Sequence, residues 1–329
     1  MGSLTHTIFR KIINYYIIYE AGFGRPFFYL KMKKIIFLFV GMAFAQSINA
    51  QGGVSKAYSM EDAIHHRLEV TELNLRNQNL FLIPDDIGKL SNLKFLNLMQ
   101  NNIENWNAKL FNLGQLETFI IRQNPVKYVP KHIGKMQNLR ELDLALCNLT
   151  ELPHEIGNLE NLRHLRLSLN QLTTLPESIG KCKNMLSLDL DNNQINRLPE
   201  QLSELKNLKS LILTNNQLHE ISASWLVLEN LQELNVESNR LYRLPENLHR
   251  LENLQILILN NNQLTELPES LGKLSNLSLL SLANNRLEKL PDDLSGLINL
   301  KTLILTDNPI SKAEQNRIVK ALPNCRVYY

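Results

Sequence analysis

The nine residues Leu162-Arg163-His164-Leu165-Arg166-Leu167-Ser168-Leu169-Asn170 decide the fold. Strand side chains alternate, so Leu165 and Leu167 point to one face while His164, Arg166 and Ser168 point to the other. One such strand cannot bury its two leucines alone. The same pattern, L-x-x-L-x-L-x-x-N, begins at Val70, Leu93, Leu116, Leu139, Leu162, Met185, Leu208, Leu231, Leu254, Leu277 and Leu300. Each start lies 23 residues after the one before it, so no insertion interrupts the series. An unbroken period of this length specifies stacked copies, each burying the apolar face of its neighbour.

Outward from the strand, a second half-repeat reads L-P-x-x-[IL]-G-x-L-x-N-L, as in residues 152–162. Pro stands at 84, 130, 153, 176, 199, 245, 268 and 291, and Asn107 and Ser222 replace it in two copies. Proline suits an outer segment that has no sheet N–H to supply. Asn recurs at 101, 124, 170, 193, 216, 239, 262, 285 and 308, with Gln78 and Cys147 as exceptions. A side-chain amide both donates and accepts, so the asparagines should form a ladder that satisfies backbone groups where the strand ends. Cys147 fits that column as a small buried polar group, and Cys182 takes a leucine slot of the outer core; both read as inert thiols. Trp225 occupies the column of Ile156 and Trp106 the column before the prolines, so both are expected in the core.

These motifs resemble the leucine-rich repeat proteins, in particular the bacterial-type class with a 23-residue repeat, over Val70 to Pro309. The resemblance implies an α/β solenoid: a horseshoe of eleven repeats with a parallel β-sheet on its concave face, capped at both ends. It also implies protein–protein interaction.

Solenoid ends expose core. Ser59-Met60-Glu61-Asp62 reads as a helix N-terminus, after which Ala63, Ile64 and Leu68 would cover the first repeat. Residues 311–322 read as a helix with Ala313, Ile318, Val319 and Leu322 on its apolar side, and 323–329 as a final edge strand. The expected organisation is therefore an upstream extension (1–31), a signal peptide (32–50), a linker and N-terminal cap helix (51–69), the repeat domain (70–309), and a C-terminal cap helix with its edge strand (310–329).

The signal-peptide reading rests on Lys33 and Lys34 before an apolar run from Ile35 to Ala45, too short to span a bilayer. Small residues at Ala45 and Ala50 suit cleavage, with Ala50 preferred, and Met32 is the expected initiator. The alternative for this region is an N-terminal membrane anchor.

The chain has 329 residues, 44% hydrophobic and 20% charged, and a formal charge of +3. Of its 35 basic and 32 acidic residues, six and one fall within 1–50, leaving 29 and 31 in the remainder. A near-neutral body lacks the positive field that nucleic-acid binding requires. Three cysteines and no CxxC give no disulfide framework. No nucleophile, phosphate-loop or metal-ligand motif is present, and the histidines fall in unrelated columns. We therefore expect no catalytic residues, no metal and no cofactor; a calcium site at Asp189 and Asp191 is disfavoured by the adjacent Arg166.

The concave columns remain. Their first zone holds Phe95, Met99 and Ile120. The middle holds Glu141, Asp143, His164, Arg166, Asp189 and Asp191, with Asp143, Arg166 and Asp189 side by side. The third is apolar, with Ile212, Ile256, Ile258, Leu279 and Ile304. The plain reading of the middle row is an exposed charge ladder; the functional one is a polar recognition centre between apolar contacts. The candidate ligand-binding residues are Phe95, Ile120, Glu141, Asp143, His164, Arg166, Asp189, Asp191, Ile212, Glu237, Ile256, Ile258 and Leu279. The expected function is a non-enzymatic, monomeric module that binds a protein or peptide outside a bacterial cytoplasm (periplasm, cell surface or medium), without a transmembrane span in the mature chain. The alternative is an intracellular signalling scaffold.

Overall fold

A computed structural model describes residues 55–329; the expected extension, leader and cleavage point lie outside the described residues. Thirteen strands form one sheet in strict chain order, and all neighbours run parallel. They are β1 (Ser55–Ala57), β2 (Val70–Asn74), β3 (Phe95–Asn97), β4 (Thr118–Ile120), β5 (Glu141–Asp143), β6 (His164–Arg166) and β7 (Ser187–Asp189). The series continues with β8 (Ser210–Ile212), β9 (Glu233–Asn235), β10 (Ile256–Ile258), β11 (Leu279–Ser281), β12 (Thr302–Ile304) and β13 (Arg326–Tyr328). Two α-helices flank the series, α1 (Met60–His65) and α2 (Lys312–Ala321).

The register follows the leucines. Leu142, Leu165, Leu188 and Leu211 stand side by side on successive strands. Each is fully buried, as are Leu144, Leu167, Leu190 and Leu213 two residues on. Burying one leucine side chain contributes roughly 1.5–3 kcal/mol, and stacking makes that burial continuous.

Each strand ends at a turn built by the asparagine ladder. Asn170 Oδ1 accepts from the backbone N–H groups of Cys147 (3.1 Å) and Leu149 (2.9 Å). Its Nδ2 donates to the carbonyls of Leu144 (2.9 Å) and Leu167 (2.8 Å). One amide thus joins two copies. The residue just before the ladder position is left-handed in every copy, with φ between 52° and 60°. That geometry bends the chain off the sheet.

The outer side carries short 3-10 turns, such as His154–Asn158 and Glu177–Lys181, entered through Pro153 and Pro176 in extended conformation. Where proline is missing, a side chain takes over the turn entry. Asn107 Oδ1 accepts from Lys109 N–H (2.9 Å), and Ser222 Oγ accepts from Ser224 N–H (3.3 Å). The glycine of this segment is a close-approach position, since a Cβ on Gly157 would stand 2.4 Å from the Ser178 carbonyl oxygen. A second asparagine ladder, absent from the sequence reading, runs along this side. Asn161, Asn184 and Asn207 donate to the carbonyls of Gln137, Glu160 and Lys183 at 2.9–3.0 Å.

At the N-terminal end Ser59 Oγ accepts from Asp62 N–H (3.1 Å), starting α1 as expected. Ala63 is fully buried and Ile64 packs on the core, but Leu68 is 73% exposed and covers nothing. β1 was not expected; it joins the sheet through its backbone and places Ala57 in the core. At the other end α2 buries Ile318 and Leu322, whereas Ala313 and Val319 face solvent, contrary to expectation. Arg317 fastens α2 by donating to the carbonyls of Leu290, Pro291 and Asp292 at 3.0–3.1 Å. Trp225 is buried in the core, as its column implied. Trp106 is only half-buried; it packs on Phe111 and Phe119 and donates its indole N–H to the Tyr128 carbonyl (2.7 Å). Among the described residues no helix is long and apolar enough to cross a membrane.

Candidate functional site

Three positions of every copy face away from the leucine core, and stacking aligns them into rows across the sheet. The register places Asp143, Arg166 and Asp189 directly side by side. It places Glu141, His164 and Ser187 in the row beside them. Phe95 neighbours Thr118, Ile120 neighbours Asp143, and Ile256 neighbours Leu279. The three zones read from the columns are therefore contiguous in space.

Ion pairing within the middle zone is diagonal. Arg166 Nη1 donates to Glu141, one strand across and two positions back. Arg122 Nη1 lies 3.8 Å from Asp143 with the same kind of offset. Arg122 was not among the sequence candidates; its place in the sixth-position column, next to Asp143 diagonally, is the signal that could have found it.

Exposure corrects the plain reading of this row. Asp143 is 4% and Asp191 3% exposed in the full chain, and Asp189 is also buried, so the row is not a solvent-exposed ladder. Burial pushes the Asp143 carboxyl above its ordinary range, against the pull of Arg122 and Arg166. Burial also opposes the charge on Arg166, but the carboxylates of Glu141 and Asp143 outweigh it and hold the guanidinium above its usual value. His164 is drawn down by burial. Such a cluster offers fixed charge and hydrogen-bond donors.

The other candidates divide by exposure. Phe95, Ile120, Glu141, His164, Arg166, Ile212, Glu237 and Ile256 are partly exposed. Ile258 and Leu279 are buried in the full chain, at 5% and 2%, which does not match an open apolar contact strip. Glu237 accepts from the Asn261 side chain at 3.2 Å.

The rim of the sheet adds a feature that the columns did not suggest. In nine copies the left-handed residue is Asn, Gln, Ser or Asp; in two neighbouring copies it is Leu146 (φ 57°) and Leu169 (φ 58°). Leu169 is 39% exposed. A Cβ in this region crowds the following carbonyl, which is why glycine and asparagine are usual there.

Comparison with known proteins agrees with this architecture. The family described as leucine-rich repeat region matches residues 62–171, and leucine-rich repeat families match 161–182, 206–264 and 252–310. The flightless-1 homolog of Caenorhabditis elegans is 30% identical over 113 residues, 34% of this chain but only 9% of that protein. Among solved structures, the ectodomain of the Arabidopsis receptor kinase HAESA, in complex with an N-terminally extended form of the IDA peptide hormone, is 30% identical with a TM-score of 0.63. That match covers 83% of this chain and 51% of the receptor chain. The functional domain of InlJ from Listeria monocytogenes has a TM-score of 0.67 at 21% identity, covering 80% of this chain and 53% of that one, a likeness of fold.

Proposed function

This chain belongs to the leucine-rich repeat family, and on that footing we propose that it is a non-enzymatic module binding a protein or peptide on its concave face. One observation carries the reading. The core columns hold leucine in most copies, whereas the second, fourth and sixth positions vary widely in size and charge across the copies, from Phe95 to Arg166 to Ile256. Residues released from core duty on a rigid sheet are free to serve recognition. The partly exposed set from Phe95 to Ile256, centred on the Glu141–Arg166 and Arg122–Asp143 pairs, supplies apolar contact beside fixed charge. The peptide-bound HAESA ectodomain supports the reading by likeness of a shared fold.

The second half of the proposal is its location. Residues 32–50 have the layout of a cleavable leader, which supports action outside a bacterial cytoplasm.

Photo-crosslinking in the native cell tests the binding face. A crosslinker at His164 or Ile120 should capture a discrete partner, and one at Glu155 on the outer turn should not. Capture from the outer turn alone would overturn the reading. Fractionation with mass spectrometry of the first residue tests location. A chain starting at Gln51 outside the cytoplasm supports export, whereas an intact cytoplasmic chain makes an intracellular scaffold the better account.

A further inference from the structure

We propose that one edge of the solenoid seats the protein on an anionic lipid surface, through a row of basic side chains and the exposed aliphatic Leu68. The edge is formed by the short flanks that lead from each outer turn into the next strand. Two hydrogen-bond ladders hold these flanks side by side. Asn92, Asn161, Asn184 and Asn207 donate to the carbonyls of Leu68, Gln137, Glu160 and Lys183 at 2.8–3.0 Å. The backbone N–H groups of Arg163, Leu186 and Lys209 donate to the carbonyls of Arg140, Arg163 and Leu186 at 2.8–2.9 Å.

Charge is sorted onto this edge. Ten such flanks, from 89–94 to 296–301, hold twelve bases and five acids. The rest of residues 51–329 holds 17 bases and 26 acids. The excess is concentrated at the centre, where 135–140, 158–163, 181–186 and 204–209 carry seven bases against Glu160 and Glu204. Pairing cancels little of it. Arg140 pairs with Glu117 (3.0 Å) and Lys183 with Glu204. Lys135, Arg163, Lys181, Lys206 and Lys209 are exposed and have no ion pair among the described residues. A positive edge on an otherwise negative body turns that edge toward negative surfaces.

The apolar groups in the same row identify the surface. Among the described residues, Leu68 (73%) and Ile298 (74%) are the most exposed large apolar side chains. Both stand in the column of Lys183 and Lys206, whole multiples of 23 residues away. Leu186 is half-buried among the bases. Glu229 and Glu252 break the column before Ile298, so the contact centres on the copies from Leu68 to Lys209. A soluble polyanion offers charge but no apolar layer for Leu68. A protein partner fits poorly too, because interface cores are poor in lysine and rich in aromatics. Five of the seven central bases are lysines, and the four central flanks contain no aromatic residue. An anionic bilayer meets both features, with charge at its headgroups and hydrocarbon just beneath. The concave face stays free in this arrangement.

The test is sedimentation of the full chain with vesicles of equal parts phosphatidylcholine and phosphatidylglycerol. Binding should weaken with salt and be at least about 10-fold weaker on phosphatidylcholine alone. Each base at such a surface is worth roughly 5-fold in affinity, so Arg163→Glu/Lys181→Glu/Lys209→Glu should lose at least about 100-fold. Leu68→Ser should lose about 5-fold. Arg197→Glu/Arg240→Glu/Arg243→Glu makes the same change in net charge on the side where the strands end, and should bind like the unaltered chain. All these side chains lie at the surface, so unchanged melting of the variants shows that lost binding is not lost folding. Equal binding to both vesicles, binding to neither, or equal losses from the two triple variants overturns the proposal. Binding to soluble polyphosphate as tight as to vesicles, and indifferent to Leu68→Ser, also overturns it in favour of a soluble polyanion.

Discussion

Cys147 donates its backbone N–H to the side chain of Asn170 at 3.1 Å, but its own side chain has no carbonyl oxygen to offer the copy before it. Its thiol reaches back to the Ile121 carbonyl at 3.6 Å and acts as a weak donor only. Asn124, by contrast, both donates to Leu98 O (2.9 Å) and accepts from Ile103 N–H (3.0 Å). The ladder is therefore one-sided at Cys147.

Cys147→Asn should complete it. An amide oxygen there would accept from Val126 N–H as Asn170 accepts from Leu149. We expect a gain of about 1 kcal/mol, the ordinary net worth of one buried hydrogen bond. Asn170→Ala should cost several times as much, since it strands two N–H groups and two carbonyls at once. Urea unfolding of the three proteins checks the order; equal midpoints would deny the ladder its role.

The buried thiols give a pH prediction. Burial raises Cys147 and Cys182 from 9.0 to about 12. A thiol held neutral by the fold stabilises it below pH 9, and that contribution is lost as pH rises from 9 toward 12. Stability should therefore fall through this alkaline window, and Cys182→Val should flatten the slope. At pH 8 both thiols should alkylate on the order of 1000-fold more slowly in the folded chain than in denaturant. Rapid labelling of the native protein would show that the core opens readily.

The outer turns are packed against one another through glycine. A Cβ at Gly272 would stand 1.9 Å from the Asp293 carbonyl oxygen, and at Gly157 2.4 Å from that of Ser178. Backbone cannot yield as a flexible side chain does. Gly157→Ala and Gly272→Ala should each cost about 1–3 kcal/mol, while Gly114→Ala, with open space around it, should cost little. Calorimetric melting of the three variants distinguishes them.

Position by position, the sequence is legible where a column repeats and obscure where a contact is made once. Leu165 and Leu167 declare themselves because ten other copies place apolar residues at the same offsets. β1 does not, because Ser55-Lys56-Ala57 has no leucine and is recruited by backbone hydrogen bonds. Val319 was expected inward from helical spacing, but the 52% exposed side chain shows that α2 buries a stripe around Ile318 and Leu322 only. Within the candidate site the rows were legible from alternation. The diagonals were not, because Arg166 could reach Asp143, Asp189 or Glu141, and side-chain length and depth select Glu141. The left-handed leucines were missed because they read as ordinary apolar residues until φ is known.

Repeat architecture makes a last prediction about which pieces are dispensable. Residues 254–276 form one whole period, and removing them joins Asn253 to Leu277 in phase. Stability in such a stack is a sum over neighbouring interfaces, so the shortened chain should fold, with a lower melting temperature. Removing 312–329 is a different operation. It deletes Ile318 and Leu322 from the core, the β13 partner of β12, and the Arg317 contacts to Leu290, Pro291 and Asp292. Leu305, fully buried and bonded through its N–H to Tyr328 (2.7 Å), would then meet water. The truncated chain should aggregate, although it loses fewer residues than the shortened one. Light scattering after size exclusion, with melts on both, decides the matter: a monomeric truncation that melts like the intact chain would mean that the final helix and strand do not close the stack.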